Sequence, residues 1–303
     1  MAARVAAMQQ LPTWNKTILD RSIKRTLVKS DGTRPVVAHS GILPHPGSGG
    51  TDSHFYFGWY HGNERDFPRL CAAWPRLARF VTEFGAQAAP DNAEFMHPER
   101  WPALDWEHLG QRHSLQKALF DRFVPPADFD TFDEWRRATQ EYQATVVRHH
   151  VETLRRLKYR PTGGFCQFFF ADGYPAVTWS VYDFCRAPKL AQAALARACA
   201  PVIVVAERPL ERYAPAEEIR LDVHVVSDLR VTVEDATVQA TLEWSTGQRT
   251  WGWRGDVPAD DCVKIGTVAM EVPDELGPLS LRLTLASAPV SAANSYESAI
   301  GWA

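Results

Sequence analysis

The spacing of hydrophobic residues changes once along the 303-residue chain, near Pro201, and this change constrains the fold more than any other feature. Before Pro201, segments with apolar residues at helical spacing alternate with short, continuously apolar runs. After it, apolar and polar residues alternate one by one, as in 238–244 and 279–285. The first pattern is typical of helices and buried strands, the second of half-buried strands. The sequence therefore predicts two domains, residues 1–200 and 201–303.

Helices and strands are predicted to alternate in the first 200 residues. Helical patterns cover 16–29, 67–78, 103–123, 131–158 and 187–200, and apolar runs that predict strands cover 34–41, 55–62, 78–85 and 163–175. Strands that are apolar on both faces and alternate with helices indicate a parallel sheet covered by helices. The fold class predicted for this domain is α/β.

The last hundred residues are predicted to contain only strands. In 279–285 four leucines alternate with Ser280, Arg282 and Thr284, and similar runs recur at 220–226, 238–244, 251–253 and 265–270. Turns separate these runs at intervals of about ten residues, as in antiparallel sandwiches. We therefore expect an all-β sandwich of immunoglobulin-like size.

Composition excludes several classes of protein. Apolar residues make up 45% and charged residues 23%, which is incompatible with a disordered chain. No run of 18 apolar residues predicts a membrane span, and the start of the chain lacks the apolar stretch of a signal peptide. Residues 201–303 carry 8 Lys and Arg against 16 Asp and Glu, so nucleic acid is a poor partner. The five cysteines include no CxxC pair, and we expect free thiols in a cytoplasmic protein.

Glu83 is the most conspicuous candidate for chemistry because it interrupts the apolar run 78–85. A carboxylate in such a strand is costly unless it lies at the strand's end, which in an α/β barrel is the active-site face. A structural alternative is that Glu83 pairs with Arg79 or caps the next helix. Aromatic residues at 55–60 and Trp179 could stack on sugar rings or simply fill the core.

Two motifs resemble one known family of enzymes. The segment TDSHFYFGWYHG (51–62), followed by RFVTEFGAQAAP (79–90), resembles the β-mannosidase branch of the family 2 glycoside hydrolases. The segment GGFCQFFFADGYPAVTWSVYDFCRAPK (163–189) is similar to that family's eighth barrel strand. The resemblance covers nearly the whole chain. It implies a partial (β/α)8 (TIM) barrel, at 1–200 the C-terminal half, followed by the immunoglobulin-like sandwich.

The resemblance also implies a reaction. The Glu of the family's nucleophile motif falls on Glu83, which would attack a terminal β-linked mannoside and form a covalent glycosyl-enzyme intermediate. The residues expected to contact the oligosaccharide or glycoside substrate are His54, Trp59, His61, Gln87, Phe168 and Asp172. No cofactor is implied. Histidines 39, 45, 54, 61 and 97 lack the helical spacing of zinc ligands, so we expect no metal.

The chain departs from the family in two places. The family's acid/base lies in an Asn-Glu pair before the first helix, whereas the only such pair here, Asn63-Glu64, follows the sixth-strand motif. We therefore expect a C-terminal portion that is inactive alone and associates with a missing N-terminal part or with itself. Phe168, Ala171 and Tyr174 replace residues of the family's sugar platform, which leaves a related β-sugar open as substrate. The alternative hypothesis is a non-catalytic carbohydrate-binding or scaffold fragment.

Overall fold

The computed structural model of the chain describes residues 14–37, 50, 52–288 and 290–302. It divides into two compact units. The first unit comprises the chain up to His150 and residues 160–192, and the second comprises residues 151–159 and 193–303. The strand-rich second unit therefore includes two helical segments that precede Pro201 in the sequence.

The helices of the described residues agree with most of the helical patterns. They are α1 (Asp20–Ser30), which continues a π-helical turn at Asn15–Leu19, α2 (Asp66–Ala73), α3 (Trp106–His113), α4 (Lys117–Phe123), α5 (Phe132–Arg156) and α6 (Leu190–Ala198). The pattern at 67–78 is α2 followed by a 3₁₀ turn, Pro75–Ala78. The pattern at 103–123 is two helices, because Ser114, with φ of 62°, ends α3 in a left-handed conformation.

The long helix α5 begins at a capping box. The Glu134 backbone N–H donates to Thr131 Oγ1 at 3.2 Å, and the Thr131 N–H donates to Glu134 Oε2 at 3.0 Å. These two bonds satisfy backbone donors that a helix start leaves unpaired. The predicted helix at 131–158 is confirmed.

Three short parallel strands form the sheet of the first unit. They are β1 (Ser53–His54), β2 (Phe80–Glu83) and β3 (Gly164–Phe165), with β2 in the middle. Both strand pairs are parallel, as the sequence predicts. The register places His54 opposite Glu83.

Two of the predicted strands are wrong in extent and one is only partly described. Residues 55–62 form turns at Gly58 and Gly62, which have φ angles of 82° and 41°. The residues of this segment are apolar because the turn that they form is buried. Only Gly164–Phe165 of the run 163–175 is a strand. Of the run 34–41, residues 34–37 form no strand and the rest lie outside the described residues.

An aromatic cluster fills the core of the first unit. Trp135 of α5 is fully buried, and its ring lies 5.2–5.9 Å from those of Trp101, Trp106, Phe120 and Phe132. Its indole N–H donates to the Val124 carbonyl at 3.0 Å. Such rings bury large apolar areas while the polar N–H keeps a partner, which fixes α5 against the loops before it.

Two sheets make up the second unit. Their strands are β4 (Val202–Ala206), β5 (Arg212–Tyr213), β6 (Glu218–Ser227), β7 (Val233–Trp244), β8 (Gly247–Val257), β9 (Cys262–Glu271), β10 (Gly277–Ser287) and β11 (Val290–Ile300). The orders are β5-β11-β10-β7-β8 and β4-β6-β9, antiparallel except where β5 pairs with β11. Side chains from both sheets share one core.

The alternating pattern in the second half of the chain identifies most of its strands correctly. Leu279, Leu281, Leu283 and Leu285 of β10 are all buried, so the prediction for 279–285 is confirmed. The sequence did not predict β11, whose residues are mostly small or polar and give a weak hydrophobic period. Among the described residues, no helix is long and apolar enough to cross a membrane.

Candidate active site

Glu83 lies at the end of the central strand β2, with 28% of its side chain exposed. Parallel pairing with β1 places His54 Nδ1 3.1 Å from Glu83 Oε2, and the Phe55 N–H donates to the Glu83 carbonyl at 2.8 Å. The position of the carboxylate is therefore set by the register of two strands. Its partners in the described part of the chain are on the β1 side, and the alternative pairing with Arg79 is not seen.

Tyr56 makes the second contact with the carboxylate. The Tyr56 hydroxyl donates to Glu83 Oε2 at 2.8 Å. Burial, together with the bond to Glu83, raises the pKa of Tyr56 far above its ordinary value. The phenol therefore stays protonated and can only donate to the carboxylate. Both contacts fall on Oε2, and no described residue donates a hydrogen bond to Oε1.

His54 also lies close to a second carboxylate, that of Asp52. Asp52 Oδ1 lies 3.8 Å from His54 Nε2 and accepts a hydrogen bond from Thr82 Oγ1 at 2.9 Å. The His54 and Asp52 side chains are only 15% and 13% exposed. The imidazole is thus placed between two carboxylates, an arrangement that orients the ring toward Glu83.

Next to Glu83 lies a group of four aromatic rings, those of Tyr56, Tyr60, Phe168 and Trp179. Of these, Phe168 is one of the predicted site residues. The Tyr56 ring lies 5.1 Å from Tyr60, 6.4 Å from Phe168 and 6.2 Å from Trp179. Tyr60 is 44% exposed, and its hydroxyl accepts a hydrogen bond from Gln116 Nε2 at 2.6 Å. Burial of part of this side chain raises the pKa of Tyr60. Tyr60 therefore offers an exposed ring with a fixed hydroxyl group, which suits a ligand that has both apolar and polar faces.

The other residues expected to contact substrate take up different positions. Trp59 and Gln87 are fully buried, and both bond to Gln116: Trp59 Nε1 donates to its Oε1 at 2.9 Å, and Gln87 Oε1 accepts from its N–H at 3.0 Å. They therefore support Gln116, which in turn holds Tyr60. His61 lies against the ring of Phe57, and burial lowers the pKa of His61.

Asp172 is placed in the core and has no open face. Its carboxylate accepts hydrogen bonds from Thr178 Oγ1 at 2.5 Å and Ser180 Oγ at 2.7 Å, and Lys189 Nζ lies 3.7 Å from Oδ2. The side chains of Asp172 and Lys189 are each 1% exposed. Burial lowers the pKa of Lys189 to about 8. The contacts of Asp172 connect the two ends of the segment 172–189. Of the other predicted site residues, Glu83 and Phe168 contact Tyr56, and His54 contacts Glu83.

Sequence reasoning left open whether Tyr56, Tyr60 and Trp179 stack on a sugar or fill the core, and it did not select Asp52 as a site residue. The first three lie in aromatic segments, where the sequence does not distinguish a ring at the site from a ring in the core. Asp52 follows a Gly- and Ser-rich stretch. Glu64 of the Asn-Glu pair is 4% exposed. The described residues contain no group of three or more potential metal ligands, and His39 and His45 lie outside them.

Comparisons with known proteins found similar sequences and similar folds. No family model matches the chain. A protein named β-mannosidase B from Thermothelomyces thermophilus is 26% identical over 241 residues, which are 70% of this chain and 27% of that protein.

Two solved structures are similar over most of the chain. A β-D-mannosidase from Dictyoglomus thermophilum gives a TM-score of 0.63 at 18% identity, over 82% of this chain and 30% of that one. An exo-chitosanase from Amycolatopsis orientalis, in complex with PNP-β-D-glucosamine, gives 0.66 at 13% identity, over 92% of this chain and 34% of that one.

These comparisons confirm the predicted resemblance to glycosidases of the β-mannosidase type in glycoside hydrolase family 2. The solved structures show a shared fold of mixed helices and strands. The chain spans about a third or less of the length of each of these proteins.

Proposed function

We propose that this chain carries the nucleophile of a retaining β-glycoside hydrolase of β-mannosidase type, and that the nucleophile is Glu83. One observation carries the proposal: Glu83 is a partly exposed carboxylate at a strand end with Oε2 held by Tyr56 and His54 while Oε1 accepts no hydrogen bond from the described residues. The names of the relatives support the class of reaction.

The geometry supports different roles for the two oxygens of the Glu83 carboxylate. Glu83 Oε1 attacks the anomeric carbon, the bond from that carbon to the leaving oxygen breaks, and the oxygen departs with the electron pair. Tyr56 and His54 stay on Oε2 and keep the carboxylate oriented. Water then attacks the same carbon while a general base takes its proton, and the bond from that carbon to Glu83 Oε1 breaks with its electron pair returned to the carboxylate. The rings of Tyr60 and Phe168 are the surfaces proposed to stack against the sugar.

A retaining glycosidase needs a second carboxyl group about 5 Å from the nucleophile to protonate the leaving oxygen. Glu64 is buried, Asp172 is engaged by Lys189, and Asp52 is only 13% exposed and accepts a hydrogen bond from Thr82. We therefore propose that this proton donor comes from polypeptide outside the chain, either the rest of a longer enzyme or a partner. Leu19, the last residue of the π-helical turn, and Ile23 and Leu27 of α1 are 40–49% exposed and form an apolar face that such a partner could cover.

In the same proposal, residues 1–200 correspond to the second half of a (β/α)8 barrel and residues 201–303 to an immunoglobulin-like sandwich. The parallel order β1-β2-β3 and the two mainly antiparallel sheets of the second unit support this assignment. The substrate proposed is a terminal β-linked mannoside or a related β-sugar, because Phe168 offers a stacking face without an indole N–H.

The test uses a leaving group that needs no protonation. With 2,4-dinitrophenyl β-mannoside, the proposal predicts release of one equivalent of dinitrophenolate per chain, followed by slow turnover. Deglycosylation is slow because no general base activates water. Azide, an anion that attacks without a base, should accelerate the second phase and yield β-mannosyl azide.

Two matched variants test whether Glu83 is responsible for the release of dinitrophenolate. Glu83→Gln should abolish it, whereas Glu99→Gln, at a carboxylate 68% exposed beside His97, should leave it unchanged. The corresponding β-glucoside and β-galactoside report the sugar preference. Binding of mannosides with no dinitrophenolate released would favour the non-catalytic carbohydrate-binding alternative and contradict the proposal.

A further inference from the structure

A second concave surface lies at the opposite end of strand β2 from Glu83. It is an open cavity of about 510 Å³ lined by Ala73, Trp74, Pro75, Arg76, Arg79 and Pro161. Strand β2 separates it from Glu83, and four residues of strand span about 10 Å. This arginine cavity is therefore distinct from the candidate active site.

The two arginines of the cavity point to an anionic ligand. Arg76 lies in the 3₁₀ turn Pro75–Ala78 and Arg79 follows it directly. Side chains three residues apart eclipse each other in 3₁₀ geometry, so both guanidinium groups can reach the same side. Within the described residues neither makes an ion pair or a side-chain hydrogen bond, and the cavity lining contains no carboxylate.

The backbone that carries the arginines is held on both sides. The carbonyls of Leu77, Ala78 and Arg79 accept hydrogen bonds from Ser53 Oγ at 2.6 Å, Thr162 Oγ1 at 2.8 Å and the Gly163 N–H at 2.8 Å. Three successive anchored carbonyls leave this segment little freedom. The guanidinium stems therefore start from fixed positions, which reduces the entropy lost when they close on a ligand.

The rest of the cavity is apolar. Trp74 is 48% exposed and stands beside Ala73, Pro75 and Pro161. A large exposed aromatic residue next to paired arginines suits a ligand with a charged end and a ring. Two guanidinium groups match the charge and the oxygen geometry of a phosphate dianion.

We propose that the arginine cavity binds a phosphate monoester whose organic part is a ring, with the phosphate between Arg76 and Arg79 and the ring against Trp74. This binding does not depend on the proposed glycosidase activity. The ring can be a sugar or a nucleobase, since a sugar stacks on the indole through its C–H face and a nucleobase through its planar aromatic face.

Titration calorimetry on the intact chain tests the proposal with four probes: inorganic phosphate, glucose, glucose 6-phosphate and adenosine monophosphate. At least one ester should bind tenfold or more tightly than inorganic phosphate, and the tighter ester identifies the ring. Arg76→Gln and Arg79→Gln should each weaken that ester at least tenfold. Trp74→Ala should weaken the ester but leave inorganic phosphate unchanged.

Two control variants show whether ester binding is specific to the arginine cavity. Arg137→Gln, at a side chain 75% exposed on α5, should bind like the parent, and so should Glu83→Gln. Thermal unfolding of the arginine variants checks that they fold, which their exposed positions favour. The proposal is overturned if neither ester binds more tightly than inorganic phosphate, or if both arginine variants bind the ester as the parent does.

Discussion

Two carboxylates of the first unit, Glu83 and Asp172, have opposite surroundings. Asp172 is buried and receives two hydroxyl hydrogen bonds and the ammonium group of Lys189. Glu83 is partly exposed and receives its contacts on one oxygen only. Of the two, only the Glu83 carboxylate is accessible and keeps an oxygen to which no described residue donates a hydrogen bond, so only Glu83 can reach a ligand. The Asp172 group instead maintains the fold around the site.

The largest effect that this comparison predicts is on stability. Asp172→Asn leaves the Lys189 ammonium group buried without its ion-pair partner, and we expect a loss of about 3–5 kcal/mol in the free energy of unfolding. Glu83→Gln should change that free energy by less than about 1 kcal/mol, because the side chain is partly exposed. Urea denaturation of both variants measures the difference.

A second substitution sharpens this result. Adding Lys189→Met to Asp172→Asn removes the stranded charge and should restore part of the lost stability. Equal stability losses for the Asp172 and Glu83 variants would mean that the two carboxylates have similar structural roles, contrary to the geometry.

The next effect concerns the apolar support behind Glu83. His150 is fully buried between the rings of Phe67, at 4.4 Å, and Phe84, at 5.3 Å, and burial lowers the pKa of His150 to about 4. Between pH 6.5 and 4 the unfolded chain binds a proton that the folded chain does not. Stability should therefore fall by about 3 kcal/mol as the pH decreases through this range, and be fully present above it.

Comparing the unfolding free energies of the parent and of a His150 variant separates the contribution of His150 to the pH dependence from those of the other titrating groups. His150→Gln should remove that part of the pH dependence when unfolding free energies are compared at several pH values from 7 to 4. Parallel curves for the two proteins would show that His150 does not titrate abnormally.

The smallest of these effects is on the reactivity of Glu83. Tyr56→Phe removes the hydroxyl that orients the carboxylate, and the dinitrophenolate burst should slow by about 10–100-fold, as expected for a hydrogen bond to a charged group. Tyr159→Phe is the matched control, because its hydroxyl donates to Asp260 at 2.8 Å in the other unit. That variant should react at the parent rate, and an equal slowing in both would contradict a role for Tyr56.

The sequence predicts the strand that carries Glu83 but not the carboxylate's partners. Tyr56 precedes Glu83 by 27 positions, and their contact depends on the parallel pairing of β1 with β2. No pattern in 55–62 marks this ring as different from Phe55, which is 1% exposed in the core. The apolar character of this segment suggested a strand because a buried turn and a buried strand have the same composition.

The same limit applies to Asp172. The sequence places an acid and a lysine 17 positions apart in a loop-rich segment. Only the folded path of residues 172–189 brings them together and removes the carboxylate from solvent. Trp59 and Gln87 are similar cases, since their polar groups reach Gln116 rather than open space. In contrast, alternation in β10 directly reflects which side chains face the core, so that strand was predictable.

The most direct test of the central claim is to trap the intermediate. With 2,4-dinitrophenyl 2-deoxy-2-fluoro-β-mannoside, the fluorine slows both chemical steps, while the reactive leaving group still allows the first. Peptide mass spectrometry should then find one fluoromannosyl group per chain, attached to Glu83. Attachment to another residue, or no attachment to a folded chain, would contradict the assignment of Glu83 as the nucleophile.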